Sequence, residues 1–267
     1  YQTRVTTAVK DVAGNNLSSQ YRTSYGFTTN LFVAAGEAGT IVISSDAINW
    51  TPVTNTSGYM SISADLYDVT FGNGTFVAVG NYGTTYTSTN GTSWTSINNG
   101  SSHIHSITFA QNKFVAGPIG ENVLVSSDNG TTWTAHATGT ATYNIAYGNN
   151  TWVKATAGTG AATSNDAETW SSPINTGLVG SLVGLVYANN IWVAVGSIIH
   201  GQVYTGDIVT TTDLAIWSRN SITTSHSGGV LPSLKAVTYG NDLFVAVGCR
   251  GECGSYWGTD EHGDIYT

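Results

Sequence analysis

One motif limits what this 267-residue chain can fold into: an aromatic residue, then small and branched residues, closed in most copies by glycine. It appears as Phe32-Val33-Ala34-Ala35-Gly36, Phe76-Val77-Ala78-Val79-Gly80, Phe114-Val115-Ala116-Gly117, Trp152-Val153-Lys154-Ala155, Trp192-Val193-Ala194-Val195-Gly196 and Phe244-Val245-Ala246-Val247-Gly248. Successive copies are 44, 38, 38, 40 and 52 residues apart. A period near 40 built from short strands is the pattern of a propeller, one four-stranded blade per repeat. The expectation is an all-β chain, with residues 30–267 forming a β-propeller of six antiparallel blades; seven is the alternative.

Strands can be placed within a repeat. In the second, residues 66–71, 75–79, 84–88 and 93–97 read as four strands, with Asn73-Gly74 turning between the first two. That turn recurs as Gln111-Asn112, Asn149-Asn150, Asn189-Asn190 and Asn241-Asp242, residues that tolerate the left-handed backbone of a tight hairpin. The second strand is apolar almost throughout, which fits burial on both faces. No long amphipathic helical pattern occurs.

A second motif joins the third strand to the fourth. In Ser126-Ser127-Asp128-Asn129-Gly130-Thr131-Thr132-Trp133 the carboxylate of Asp128 can take backbone amides, Gly130 can adopt positive φ, and Trp133 offers a large ring for burial. Four shorter copies place Asp46, Asn90, Asp166 and Asp213 ahead of Trp50, Trp94, Trp170 and Trp217. The composite pattern F-V-A-V-G-x-x-G-x-x-x-x-S-x-D-G-x-x-W resembles the Asp-box propellers. That group includes sialidase-like proteins, a propeller-type photosystem II assembly factor, sortilin-like receptors and many bacterial surface proteins. The resemblance covers residues 31–267 and implies that the turn aspartates are structural and peripheral. It carries no activity with it. Sialidases hold a substrate carboxylate with three arginines, and this chain has only Arg4, Arg22, Arg219 and Arg250, without the Arg-Ile-Pro element. A basic face like that of the assembly factor is equally hard to build here.

Residues 1–29 stand apart from the repeats. The run Val9-Lys10-Asp11-Val12-Ala13-Gly14-Asn15, closing at Tyr25-Gly26-Phe27-Thr28-Thr29, resembles the last strands of a bacterial immunoglobulin-like domain. Such a tail implies a piece of a larger modular surface protein. In the competing reading, these strands help to close the propeller, because the first repeat opens at its second strand and the last lacks its fourth. The opening Tyr1, with no initiator Met or leader, also points to an excised piece.

Composition narrows the partners. Only 9% of residues are charged and the net charge is −8, which disfavours nucleic acid. Low charge with abundant Gly, Ser, Thr and Asn suits an exported, extracellular or cell-surface protein. No apolar run reaches the ~18 residues of a membrane helix. Cys249 and Cys253 are too few for a structural zinc site; a small disulfide comes first, free thiols next, and a redox or metal role last.

Candidate contact residues follow from aligned first strands. Tyr67, His105, Tyr143 and Lys235, with Val183, fall at one equivalent position, on the strand expected to line the central channel. Such a ring suits a sugar or a peptide, and a water-filled channel is the alternative. Tyr256 and Trp257, on the long insertion after Cys249, are a second contact candidate. His103 and His105 can share one strand face, but spacing supplies no third metal ligand. The polar run 260–264 could take Ca²⁺ through oxygens, though it matches no known loop. No cofactor is otherwise expected. The functional expectation is a non-catalytic interaction or scaffold module that binds protein or glycan, or copies of itself. A glycan-binding or glycan-cleaving propeller, and a filament subunit assembling by strand exchange, are the alternatives.

Overall fold

The computed structural model describes residues 3–5, 21–23, 31–53, 64–120, 122–156, 158, 160–178, 181–200, 203–221, 232–250 and 263–266. Tyr256, Trp257, Cys253 and most of the 260–264 run lie outside them, as does the side chain of Cys249.

Two compact units are present: Tyr1–Ala34 with Ile41–Val53, and Ala35–Thr40 with Thr54–Thr267. β1 (Thr3–Val5) and β2 (Tyr21–Thr23) pair antiparallel, Arg4 opposite Arg22. β3 (Phe32–Ala35), β4 (Ile41–Ser44) and β5 (Thr51–Pro52) form a three-stranded sheet.

The larger unit contains five further sheets, each a simple meander. β6 (Leu66–Gly72), β7 (Thr75–Gly80), β8 (Thr84–Ser88) and β9 (Thr95–Asn98) make the first of these. β10 (Ile104–Ala110), β11 (Lys113–Pro118), β12 (Asn122–Ser126) and β13 (Thr134–Ala137) make the next. Then come β14 (Thr142–Gly148), β15 (Thr151–Thr156), β16 (Gly160–Ser164) and β17 (Ile174–Asn175). β18 (Ser181–Ala188), β19 (Ile191–His200), β20 (Val203–Thr211) and β21 (Ser218–Ser221) follow. The last sheet is β22 (Pro232–Gly240), β23 (Leu243–Arg250) and β24 (Gly263–Tyr266).

Local chemistry sets these boundaries. Asn73 and Gly74 both take positive φ (46° and 76°), and the equivalent pairs at 111–112, 149–150, 189–190 and 241–242 do the same. Two consecutive left-handed residues give the hairpin whose twist matches its strands. β9 starts at Thr95, two residues later than the sequence predicts, because Asn90 Oδ1 holds the Ser93 amide in the preceding turn.

Packing between sheets forms the core. Every residue of β7 is buried. Val77 and Val79 meet Ile104, Ile107, Phe114 and Leu124 of the next sheet. Val115, Val123 and Val125 meet Ile145 and Trp152, and Val153 and Ala155 meet Leu182, Leu185 and Trp192. Val195 in turn meets Leu234 and Ala246. β11, β15 and β19 are thus each packed against the sheets before and after their own, and the first strands β6, β10, β14, β18 and β22 adjoin in sequence. Among the described residues no helix is long and apolar enough to cross a membrane.

Trp152 is fully buried between two sheets, and its Nε1 donates to Gln111 Oε1 at 2.9 Å. Trp152→Ala is expected to cost about 3–5 kcal/mol in denaturant unfolding, through lost burial and a cavity. A loss below about 1 kcal/mol would mean that the inter-sheet layer is not the core.

Candidate functional site

All five first strands of the larger unit are irregular at one place. Pairing with the second strand skips from Leu66 to Asp68, Ile104 to Ser106, Thr142 to Asn144, Leu182 to Gly184 and Leu234 to Ala236. The skipped residues are Tyr67, His105, Tyr143, Val183 and Lys235, the positions that sequence alignment of the strands singles out. A bulge leaves its extra residue out of the ladder and re-aims its side chain. The residue before each bulge is buried, while Tyr67 and Lys235 are exposed and the other three half-buried. The core therefore anchors each bulge, and the bulge displays one side chain.

Only part of the expected ring comes together. Tyr67 stacks on His105 with centroids 4.6 Å apart and planes 18° apart. His103, just before β10, lies 6.4 Å from Tyr67 and 6.5 Å from His105. Tyr82, which sequence reasoning does not flag, joins from the turn after β7, its ring 5.0 Å from His103. Tyr143 and Lys235 hold their bulge positions on β14 and β22 without joining these rings. Among the described residues, no three His, Cys, Asp or Glu side chains converge as metal ligands.

Glycines explain how the patch assembles. A Cβ on Gly80 would lie 2.0 Å from the Asp65 carbonyl oxygen, and one on Gly83 would lie 2.4 Å from that of Gly100. Their absence lets the Asn81-Tyr82-Gly83 turn dock on both flanking segments. The Asn81 amide donates to the Asp65 carbonyl, and Gly83 exchanges backbone bonds with Ser102 and Asn99. This docking delivers His103 beside Tyr82.

A polar relay then fixes the rings. Asp65 Oδ1 accepts the Ala38 amide, and Asp65 Oδ2 accepts Asn81 Nδ2 at 2.9 Å. Asn81 Oδ1 accepts the Tyr67 hydroxyl and faces His103 Nδ1 at 2.8 Å. Burial, reinforced by the Asp65 carboxylate, raises the Tyr67 phenol above its ordinary value, so it stays a donor to Asn81. Burial, then the nearby His103, lowers His105.

Next to Tyr67, Asp68 bridges sheets: Oδ2 accepts the Ile107 amide at 2.8 Å and Oδ1 the Val69 amide. Ser106 repeats the bridge one sheet on, its Oγ accepting the Ile145 amide at 2.9 Å. Desolvation outweighs those two bonds and pushes Asp68 up to about 6. Lys154, another residue the sequence reading passes over, is fully buried where other repeats carry Ala78, Ala116 or Ala194. Its ammonium donates to Thr138 Oγ1 and to both oxygens of Thr140, and sits 5.6 Å from the Trp170 ring centre. Burial pushes it down to about 8.

Several solved structures resemble this architecture. A structure described as YCF48 bound to D1 peptide matches with TM-score 0.60 and 15% identity, over 83% of this chain and 73% of that one. YCF48 from Cyanidioschyzon merolae gives 0.58 and 14%, over 83% and 74%. An ancestral GH74 enzyme gives 0.53 and 13%, over 89% of this chain and 38% of that one. The fold is a β-propeller. At these identities the propeller is all that the likenesses establish. No family model and no curated protein matches the chain.

At the other end of the blades lie the acidic turns. Asp46 Oδ1 accepts the amides of Ile48 and Asn49, and Asp166 and Asp213 take the equivalent pairs. Asn90 does the same as a neutral amide. The longer turn at Asp128 binds the Thr132 amide and hydroxyl instead. These donors hold Asp46 well below the usual carboxylate range and Asp128 and Asp166 at about 2, and they lower Asp213. Trp94, Trp133 and Trp170 each donate Nε1 to a carbonyl three residues back. Trp50 is 42% exposed, and Trp217 Nε1 is buried with no hydrogen-bond partner among the described residues. Beside them a groove of about 420 Å³ is lined by small polar residues, including Thr75, Thr87, Thr95 and Thr131, with no aromatic ring. These turns are stitched into the scaffold, and the patch at Tyr67 is the candidate site.

Asp68 provides a pH signature of the bulge layer. With its folded value raised from 3.8 to about 6, its contribution to stability is full below about pH 4 and lost as pH rises through about 6. Melting curves of Asp68→Asn and the parent should therefore diverge between about pH 4 and pH 7, the parent losing relative stability as pH rises. Parallel curves would place the carboxyl in water.

Proposed function

We propose that this propeller is a non-catalytic recognition module of Asp-box type, part of a larger extracellular or cell-surface protein, which takes a protein segment on the Tyr67–Tyr82–His103–His105 patch. The observation that carries the reading is the patch itself: exposed Tyr67 and Tyr82 around half-buried His103 and His105, presented by two bulges and a turn and braced by the Asp65–Asn81 relay. Aromatic anchors held rigidly at a surface are what recognition uses, because they add contact area at small entropic cost. Of the similar structures, one is described as bound to a peptide, which supports a protein partner.

Glycan is the second reading, favoured by the stacked Tyr67–His105 platform and by the GH74 likeness. Hydrolysis is less well supported. Glycoside cleavage uses two carboxyl groups flanking the bond, one of them free to donate a proton. Beside the patch, Asp65 and Asp68 each have both oxygens engaged with amides of the protein itself.

Peptide and glycan arrays probed with the full chain, and with Tyr67→Ala/His105→Ala, test the proposal. Peptide hits lost in a variant that keeps its circular dichroism are the expected result. Glycan-only hits favour the second reading. Release of sugar from a bound glycan, or hits indifferent to the double substitution, would overturn recognition at this patch.

A further inference from the structure

We infer that the patch selects a cationic side chain, so that its ligand is a basic peptide segment engaged through an arginine or lysine. This rests on the proposed peptide recognition and adds the charge class. Three observations carry it.

The relay turns its two outward polar atoms into acceptors. Asp65 can only accept, so Asn81 presents Nδ2 to it and Oδ1 to the other side. Oδ1 then takes the Tyr67 proton and fixes Nδ1 of His103 as a donor. What the relay leaves for a ligand is the lone-pair side of the Tyr67 oxygen and, in the neutral ring, Nε2 of His103, both acceptors. An ammonium or guanidinium supplies donors only. At these two atoms a carboxylate or carbonyl would meet lone pairs.

Tyr82 is displayed at a conformational cost. Its φ of 51° is left-handed, a region a bulky side chain rarely enters, and its side chain is 62% exposed. The matching turn of the preceding repeat has Ala38 at φ 52°, so the backbone does not ask for a ring here. Tyr82 and Tyr67, both near His103, offer the electron-rich faces that attract cations.

The fixed charges around the patch are acidic. Glu37 sits beside Ala38 in the turn that binds Asp65, and Asp68 follows Tyr67. The cations whose side chains are described lie elsewhere: Lys113 pairs with Glu168, Arg219 with Asp207, Lys154 is buried, and Lys235 is on β22. A net charge of −8 favours the same partner at longer range.

Fluorescence anisotropy with the full chain tests this, using a labelled Gly/Ser peptide carrying two arginines, a citrulline twin and a glutamate twin. Citrulline keeps the planar shape, removes the charge and exchanges two N–H donors for a carbonyl oxygen. The arginine peptide should bind at least about tenfold tighter than either twin, and Tyr82→Gly should abolish that margin. Tyr82→Gly relieves the left-handed backbone, so its melting temperature should equal or exceed the parent's, which separates lost binding from lost folding. If the twins bind as tightly and Tyr82→Gly weakens all three, the patch is a peptide site without charge selection, and the cation inference alone fails. Tight arginine binding that ignores Tyr82→Gly places the cation elsewhere and overturns it too. No binding by any peptide overturns both this inference and peptide recognition.

Discussion

Burial of a short apolar strand on both faces is the constraint from which this structure follows. Strands such as β11 and β15 have no solvated side, so a sheet must stand against each face. Valine and alanine suit that position because they are small, β-preferring and free of polar atoms needing partners. Consecutive sheets then share one layer of contacts, from Val77 against Ile107 to Val195 against Leu234. Hydrogen bonds from Asp68 and Ser106 to the next sheet's backbone tie the same layer at its inner edge.

The candidate site lies where that regularity is interrupted. Each first strand sinks a residue such as Leu66 or Ile104 into the shared layer and then loses register by one. Five bulges give five display positions on a rigid frame, and the side chain at each can vary without disturbing the core. In two neighbouring sheets the displayed residues are aromatic and touch. There the adjacent turn contributes Tyr82, and the Asp65–Asn81 pair fixes which atoms face outward. The scaffold sets position and the relay sets polarity.

Much of this is legible in the sequence. Periodicity gives the sheets, Asn-Gly and Asn-Asn pairs give the hairpins, and alignment of first strands finds Tyr67 and His105. Alignment cannot say which ring members meet: Tyr143 and Lys235 share the bulge position with Tyr67 but not its surroundings. Tyr82 is missed because it lies in a turn between strands, where polar and aromatic residues are unremarkable. Its signal is a comparison of turns, Gly80-Asn81-Tyr82-Gly83 against Gly36-Glu37-Ala38-Gly39, which sets an aromatic ring where the backbone prefers none. Lys154 had a similar signal, a charge at a repeat position otherwise held by alanine. Asn81 and Asp65 leave no such trace, because their importance is a matter of hydrogen-bond direction, which no spacing encodes.

That direction is open to a direct measurement. Long-range ¹H–¹⁵N spectra of the imidazoles at about pH 8, where an ordinary histidine is neutral, report which ring nitrogen of His103 carries the proton. Protonated Nδ1 with bare Nε2 is the expected result, since Asn81 offers only an oxygen to Nδ1. Protonated Nε2 would mean that Asn81 is turned the other way, that the patch presents a donor, and that the recognition argued from its polarity is wrong.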